Sequence, residues 1–263
     1  MHWQRTKKLD RMMIDDKKFN KWFNVFILTG MTLVMVAATL YKLQNAETDK
    51  ALLIVAAFGS LMGVLSTVCS ANAKILTFLF GFFDVTIYGV MCYMSGKYGN
   101  AALHLLYFLP MQFVGFFQWK RRGASGGEKL KARRLDAKKR LLTGLGFLGA
   151  LLLCYFILFK VSGSASPLDP QSSSASILKL GILSDALSTV CNIIGQLLMS
   201  TAFMEQWIFW IGVNIASVVM WSLTLASSPQ DSYALIYLVK YSFYLLNSIN
   251  GLRIWLALSR SSD

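Results

Sequence analysis

Apolar residues run along the chain in long, nearly unbroken stretches separated by short polar segments. A helix needs roughly 20 apolar residues to cross a hydrocarbon core of about 30 Å. Eight stretches reach that length, at about 23–40, 51–69, 75–94, 101–119, 141–159, 177–199, 207–226 and 233–258. The pattern predicts an all-α integral membrane protein with eight transmembrane helices. The first stretch follows a charged leader, as the core of a signal peptide does. The leader is long and no convincing small-residue cleavage site follows it, so this stretch is read as a retained span.

Composition narrows the class. Of 263 residues, 55% are hydrophobic and 15% charged, with a mean hydropathy of +0.51. That excludes a disordered chain and a disulfide scaffold, and it leaves too little polar sequence to surface a soluble domain. The net charge of +13 suggests nucleic acid until its distribution is considered. Basic residues concentrate at Arg5 to Lys21 and Lys120 to Arg140, each beside an apolar run, which marks the cytoplasmic face of a bilayer and no nucleic-acid partner. Counted over alternating loops, nineteen Lys and Arg fall on one side and four (Lys42, Lys50, Lys97, Lys160) on the other. Both termini are therefore expected inside. Cys69, Cys92, Cys154 and Cys191 all fall in or at the ends of spans, where free thiols act as small hydrophobes. Neither they nor His2 and His104 have metal-ligand spacing.

The pentapeptide Leu-Ser-Thr-Val-Cys occurs at Leu65 to Cys69 and again at Leu187 to Cys191, 122 residues on. Carried forward, the alignment sets Phe80-Gly81 and Asp84 opposite Trp210-Ile211 and Asn214, and Gly115 and Trp119 opposite Gly251 and Trp255. The chain then divides into a basic leader (1–22), an extra helix (23–40), a first three-helix repeat (51–119), a basic linker (120–140), a linker span (141–160) and a second repeat (177–258). Four spans separate the starts of the two triplets, so both enter the membrane in the same direction. Parallel repeats are a transporter architecture, with the substrate site between them near the midplane.

An asymmetric ligand on a symmetric scaffold requires the repeats to differ at the site. The sixth span carries Asp185, Ser188, Thr189, Asn192 and Gln196 on one stripe at 100° per residue, against Gly63, Ser66, Thr67, Ser70 and Lys74 in the second span. In the seventh, Trp207, Trp210 and Asn214 share a face, a set suited to stacking on a flat, cationic heterocycle and hydrogen bonding an exocyclic amide. Charges inside a bilayer are costly and are functional candidates by default. Asp84 and Asp185 either balance a cationic ligand or pair with Lys240. Lys240, Tyr244 and Asn247 share a face of the eighth span, and Lys179 and Arg253 are placed to snorkel. Pro110 precedes Gln112 in the fourth span, loosening the helix around a polar side chain.

Other classes find little support. No phosphate-cradling Gly-x-x-x-x-Gly-Lys-Ser/Thr segment, Ser-His-Asp set or metal constellation is present, so the chain is read as no enzyme and as needing no cofactor. Gly123 to Arg140, containing Ser125-Gly126-Gly127, reads as a linker with an amphipathic turn at the lipid surface, and Ser162 to Ser176 as a flexible outer loop.

Three segments then carry a resemblance: Tyr107-Phe108-Leu109-Pro110-Met111-Gln112-Phe113 with Gly115, Glu205-Gln206-Trp207-Ile208-Phe209-Trp210-Ile211-Gly212-Val213-Asn214, and Asn247 to Trp255. From about Ala51 to Leu258 the chain resembles the PnuC family of bacterial nicotinamide riboside transporters. The resemblance implies a 3+1+3 fold similar to that of SWEET sugar transporters, preceded by one extra helix, in a homotrimer of the bacterial inner membrane. It implies facilitated diffusion of the riboside, with a cytosolic riboside kinase trapping the product for NAD synthesis. Trp207, Trp210 and Asn214 match the family motif, and Gln112, Asn192 and Gln196 are the expected polar contacts to carboxamide and ribose. Related members carry thiamin or riboflavin, and the motif does not separate them. A rival class is a substrate-binding membrane subunit docked on an ATP-driven partner through the basic linker.

Overall fold

The computed structural model describes residues 2–44, 50–94, 98–124, 130–163, 173–227 and 232–260, with side chains in the first helix described from Asp16 onward. Lys97, Ser125-Gly126-Gly127 and the 164–172 part of the outer loop lie outside the described residues. The described elements are helices: α1 (His2–Leu43), α2 (Lys50–Ala71), α3 (Leu76–Met94), α4 (Tyr98–Ala102), a π-helical segment (Leu103–Phe108), α5 (Leu109–Arg121), α6 (Ala137–Gly163), α7 (Ser173–Ser200), α8 (Gln206–Ser227) and α9 (Ser232–Arg260). Seven helical stretches among the described residues are long and apolar enough to cross a membrane. The expected eighth span, α9, has 29 residues and is less apolar, because Lys240, Asn247, Ser248, Asn250 and Arg253 interrupt it.

The basic leader and the first apolar stretch form one helix of 42 residues. No glycine or proline occurs before Gly30, and the leader is rich in Lys, Arg, Met and Gln, which favour helix. α1 docks on α2 and α9. Gly30 lets the Phe243 ring lie against its backbone, and Asn24 and Asn72 exchange two amide hydrogen bonds of 2.9 and 3.0 Å. Arg253, expected to snorkel, instead ties α9 to α1: it pairs with Asp16 at 2.9 Å, donates to Asn20 and lies over the Phe19 ring.

The fourth span is composite. The π segment leads straight into α5, and the Leu109 N–H donates to the His104 carbonyl, five residues back. The wider turn falls just before Pro110, whose ring lacks an N–H and crowds the preceding turn of an α-helix.

α2 and α7 end alike. Ala73 N–H donates to Ser70 O at 3.0 Å and Lys74 N–H to Cys69 O at 2.9 Å; Ala202 N–H donates to Met199 O at 3.0 Å and Phe203 N–H to Leu198 O at 2.8 Å. Both closures have the two-bond pattern of a Schellman cap, with alanine in the left-handed conformation, φ 53° at Ala73 and 60° at Ala202. Matched residues are 129 apart, and one matched pair, Ser70 and Met199, is in contact at 3.7 Å. This spacing exceeds that of the repeated pentapeptide by seven residues, close to two helical turns, so the two spacings keep the same helix face. At a spacing of 129, Asn192 stands opposite Gly63, Gln196 opposite Thr67, Trp210 opposite Gly81 and Asn214 opposite Val85.

Two further features recur at this end. A methyl group on Gly115 would overlap the Phe78 ring, and one on Gly251 would come within 2.5 Å of Trp207 Cη2. The Trp119 indole N–H donates to Met199 O at 2.8 Å, while Trp255 donates to Ser70 O at 3.0 Å. Each half thus ties off the other's first helix. Phe78, Trp119, Met199, Trp207 and Trp255 form one buried cluster there.

The linker is no amphipathic turn at the lipid surface. Residues 130–136 run as an extended strap over the cluster, with Leu130, Ala132 and Leu135 buried. Arg133 exchanges backbone bonds with Ala202 and Met204 at 2.8 and 2.9 Å, and Arg134 donates to Ser259 Oγ at 2.8 Å. Buried Glu205 accepts the Leu135 N–H at 3.1 Å and pairs with Arg140 at 3.2 Å. The strap's apolar residues find the bundle end nearer than the lipid, and its backbone groups are paired there.

Candidate functional site

One to three turns inward from the shared cluster, the two halves present different groups. On α2 and α3, Ser66 Oγ donates to Thr77 O at 2.8 Å and Thr77 Oγ1 donates to Ser66 O at 3.0 Å. That bond pair holds the helices close enough for glycine positions to matter. Gly81 opens space that the Gln112 amide enters, and Gly63 does the same for Asp84, whose Oδ1 would be 2.8 Å from a methyl there. Gln112 donates Nε2 to Phe108 O at 3.1 Å, in the turn loosened before Pro110. Its Oε1 is buried and accepts nothing.

The second half supplies rings and amides. Trp210 lies against Gly195, with indole atoms 3.2–3.3 Å from where a methyl would stand. Asn214 Nδ2 donates to Ser248 Oγ at 2.9 Å, fixing α8 to α9. Asn247, fully buried, donates Nδ2 to Thr67 O at 3.2 Å across the halves, and its Oδ1 accepts nothing. Gln196 reaches α5 by relay, donating to Ser200 Oγ at 3.2 Å, which donates to Met111 O at 3.1 Å. Asn192 is half-buried and donates to Ser188 O on its own helix at 2.8 Å. Trp207 is 2% exposed and belongs to the end cluster with Gly251 and Trp255; its Nε1 has no acceptor.

Lys240 and Tyr244 stand two turns and one turn from Asn247 along α9. The Lys240 Nζ lies 5.5 Å from the Tyr244 ring centroid, and Asp84 is its nearest opposite charge in electrostatic terms, with no direct ion pair between them among the described residues. Asp185 is exposed and stands by Cys154 of α6, away from the residues between the halves.

Of the ten residues singled out from sequence, Asn247 and Gln196 make contacts across the halves, whereas Gln112 packs on Gly81 within the first half and Trp210 and Asn214 pack on Gly195 and Ser248 within the second. Asp84, Lys240 and Tyr244 group further along, Asn192 stands at the edge, and Trp207 is built into the closed end. Sequence reasoning named Ser66 and Gly81 only as counterparts of second-half residues and missed Thr77, Ser248 and Gly195; Ser66, Thr77 and Ser248 hold the frame, and Gly81 and Gly195 make room for Gln112 and Trp210, pairings visible only in the fold. A cavity of about 280 Å³ is lined by Tyr93, Tyr98, Ala101, Leu105 and Leu106, and another of about 130 Å³ lies between α1 and α2 by Asn24, Asn72 and Lys74. Neither is lined by Gln112, Trp210 or Asn214.

Buried acceptors without donors cost about 1–3 kcal/mol each, so Gln112 Oε1 and Asn247 Oδ1 are poised to accept hydrogen bonds from a ligand. An indole face, a second amide at Asn214 and a carboxylate at Asp84 complete a set able to bind a flat cation bearing N–H and O–H donors.

A family model described as nicotinamide mononucleotide transporter matches residues 53–257. A nicotinamide riboside transporter PnuC of Neisseria mucosa is 31% identical over 205 residues, 76% of this chain and 71% of the relative. The protein of the same name from Haemophilus influenzae is 30% identical over 249 residues, 94% of this chain and 96% of the relative. A crystal structure of the vitamin B3 transporter PnuC superposes with a TM-score of 0.62 at 26% identity, covering 93% of each chain.

Proposed function

Since the chain belongs to the nicotinamide mononucleotide transporter family, whose members are transporters and not enzymes, we propose that this multi-pass membrane protein carries nicotinamide riboside by facilitated diffusion. The observation that carries the reading is a pair of orphaned buried acceptors, Gln112 Oε1 against Gly81 in the first half and Asn247 Oδ1 on the residue that bonds Thr67 across the halves. In the bound state they accept from the carboxamide N–H2 and a ribose hydroxyl. Trp210 stacks on the pyridinium, Asn214, Asn192 and Gln196 complete the polar contacts, and Asp84 balances the ring's charge. The family description names the mononucleotide, whereas the relatives' names specify the riboside. The residues here favour the riboside: a carboxylate and neutral amides are the candidate contacts, and among the described residues Lys240 is paired in charge with Asp84, which outweighs Lys42, rather than set in a cluster of cations for a phosphate.

The architecture of the proposal is eight spans, with the 51–119 and 177–258 units as parallel, SWEET-like repeats. Contact between matched Ser70 and Met199 supports this, since matched positions touch where a two-fold relation passes between them. Both termini lie in the cytoplasm of a bacterial cell, with the protein a homotrimer in the inner membrane. Substrate reaches the contact from outside; the indole ties at Trp119 and Trp255, with Trp207, then part to release it inward. No energy source is built into the chain, so transport runs down the gradient and phosphorylation by a cytosolic kinase maintains that gradient.

Titration calorimetry of the purified protein with nicotinamide riboside, thiamin, riboflavin and nicotinamide mononucleotide tests the substrate. Binding of the riboside alone is expected; binding of thiamin or riboflavin instead moves the specificity. Purified protein in kinase-free liposomes equilibrates the riboside in either direction. Uphill accumulation, or no flux without an ATP-driven partner, overturns the mechanism.

A further inference from the structure

On α9, two turns from Asn247 and away from the basic loops, an ammonium sits among aromatic faces. Lys240 Nζ is 5.8 Å from the Tyr237 ring centroid, 5.9 Å from Tyr241 and 5.5 Å from Tyr244, all within cation–π range. Tyr237 is held by Trp221 of α8, stacked at 4.5 Å and 15°. From other helices, Asp84 of α3 and Lys42 of α1 lie within electrostatic reach of Lys240. The Asp84 carboxylate lies in the space that Gly63 leaves open on α2, where a methyl would come within 2.8 Å of its Oδ1.

An apolar side chain in place of Lys240 would avoid its desolvation but would leave the Asp84 carboxylate facing no cation, so the site calls for one positive charge, from the lysine or from a ligand. Aromatic faces beside one carboxylate recognise a delocalised organic cation, and a flat ring held by stacking competes well with a hydrated ammonium for those faces. Two cations in one low-dielectric cage repel, so they occupy it in turn. Lys240 is within the first three turns of α9, and its four-carbon stem lets the ammonium swing toward the start of that helix.

We propose that Lys240 is a tethered stand-in for the ligand's cation: it fills a tyrosine cage facing Asp84 on the approach to the contact between the halves, and a cationic ligand enters by displacing it. This inference rests on the riboside reading and adds the entry site and the group that guards it. Lys240 competes with the ligand's charge: a cationic ligand gains Asp84 only after expelling the ammonium, whereas an uncharged ligand draws nothing from that carboxylate, so removing the lysine favours the cation selectively.

The test compares nicotinamide riboside with its reduced, uncharged dihydro form, by calorimetry on detergent-purified full-length protein. In Lys240→Met, the ratio of the uncharged ligand's Kd to the riboside's Kd rises at least fivefold over the parent. Lys240→Gln, which keeps a polar group, shows the same rise and serves if the methionine variant does not fold. Asp84→Asn lowers the ratio. A ratio within twofold of the parent in the Lys240 variants, or a fall, overturns the displacement even if both affinities move, since a purely structural lysine shifts both ligands together. If the parent binds neither ligand, the riboside reading falls and this proposal with it; binding without the charge-dependent split removes only the proposal.

Discussion

The two three-helix halves agree at the end that carries the basic strap and differ one to three turns deeper. At the shared end, Ala73 and Ala202 close matching caps, Phe78 and Trp207 press on Gly115 and Gly251, and Trp119 and Trp255 exchange indole bonds. Deeper, Gly81 stands where Trp210 does, Gly63 where Asn192 does and Ser66 where Gly195 does. Closing a bundle end poses the same packing problem twice, and the same residues solve it twice. Binding one asymmetric molecule poses two different problems, so one half provides space with a carboxylate and amide, the other an indole with an amide.

The sharpest way to break the agreement is to overpack it. Gly115→Ala and Gly251→Ala each force a methyl into a ring, and each is expected to cost about 3 kcal/mol, at the upper end for overpacking. Melting in detergent should show two similar losses. A harmless Gly115→Ala beside an unfolded Gly251→Ala would show that the halves carry unequal loads.

Removing the indole bonds comes next. Trp119→Phe and Trp255→Phe each remove one of two donors to the buried carbonyls of Met199 and Ser70, which keep the Ala202 and Ala73 N–H, at about 1.5 kcal/mol each. Both acceptors lie where the halves touch, so the double variant should depart from additivity. Strict additivity in melting measurements would mean that the two ties act independently.

The third prediction concerns the difference. Gln112→Leu removes a buried oxygen that no protein group satisfies, so stability should hold or rise while riboside affinity falls about tenfold, or about 1.4 kcal/mol. Trp210→Ala should lose a similar amount of binding through the stacked face. Calorimetry and melting on the same preparations decide it; parallel loss of stability and binding in Gln112→Leu would make that residue structural.

Much of this comparison is legible in sequence, and the rest is hidden for identifiable reasons. The apolar runs locate the helices because a bilayer imposes a length, and Trp210, Asn214 and Gln112 stand out as polar or aromatic residues that lipid would not retain without cause. The register between the halves reads two ways, because an identity of five residues at a spacing of 122 keeps the same face as the caps' spacing of 129, and the hydrogen bonds of the caps are visible only in the fold. The strap is invisible for a different reason. Arg133 and Arg134 read as charges for lipid headgroups, while their backbone and side-chain bonds to Ala202, Met204 and Ser259 depend on tertiary proximity alone. Arg253 likewise reads as a snorkelling cation until α1 brings Asp16 and Asn20 to it.

The smallest effect separates the strap from both halves. Asp136 caps α6, a helix with no counterpart in either triplet: its Oδ1 accepts the Lys139 N–H at 2.8 Å and its Oδ2 pairs with Lys139 Nζ at 2.9 Å. The Lys139 side chain first, then the backbone N–H, hold the Asp136 carboxyl below its ordinary value of 3.8. A carboxyl lowered by folding contributes stability above its unfolded value and loses it as pH falls through the folded one. Asp136→Asn keeps an acceptor for the cap and removes the charge, so the parent should melt slightly higher than this variant near neutrality, with the gap closing below pH 3.8. The pair is exposed, and salt should narrow the gap as well. A gap that persists unchanged through acid would place its origin in the shape of the cap rather than its charge, and would leave the entry to α6 as indifferent to protons as the closures of α2 and α7.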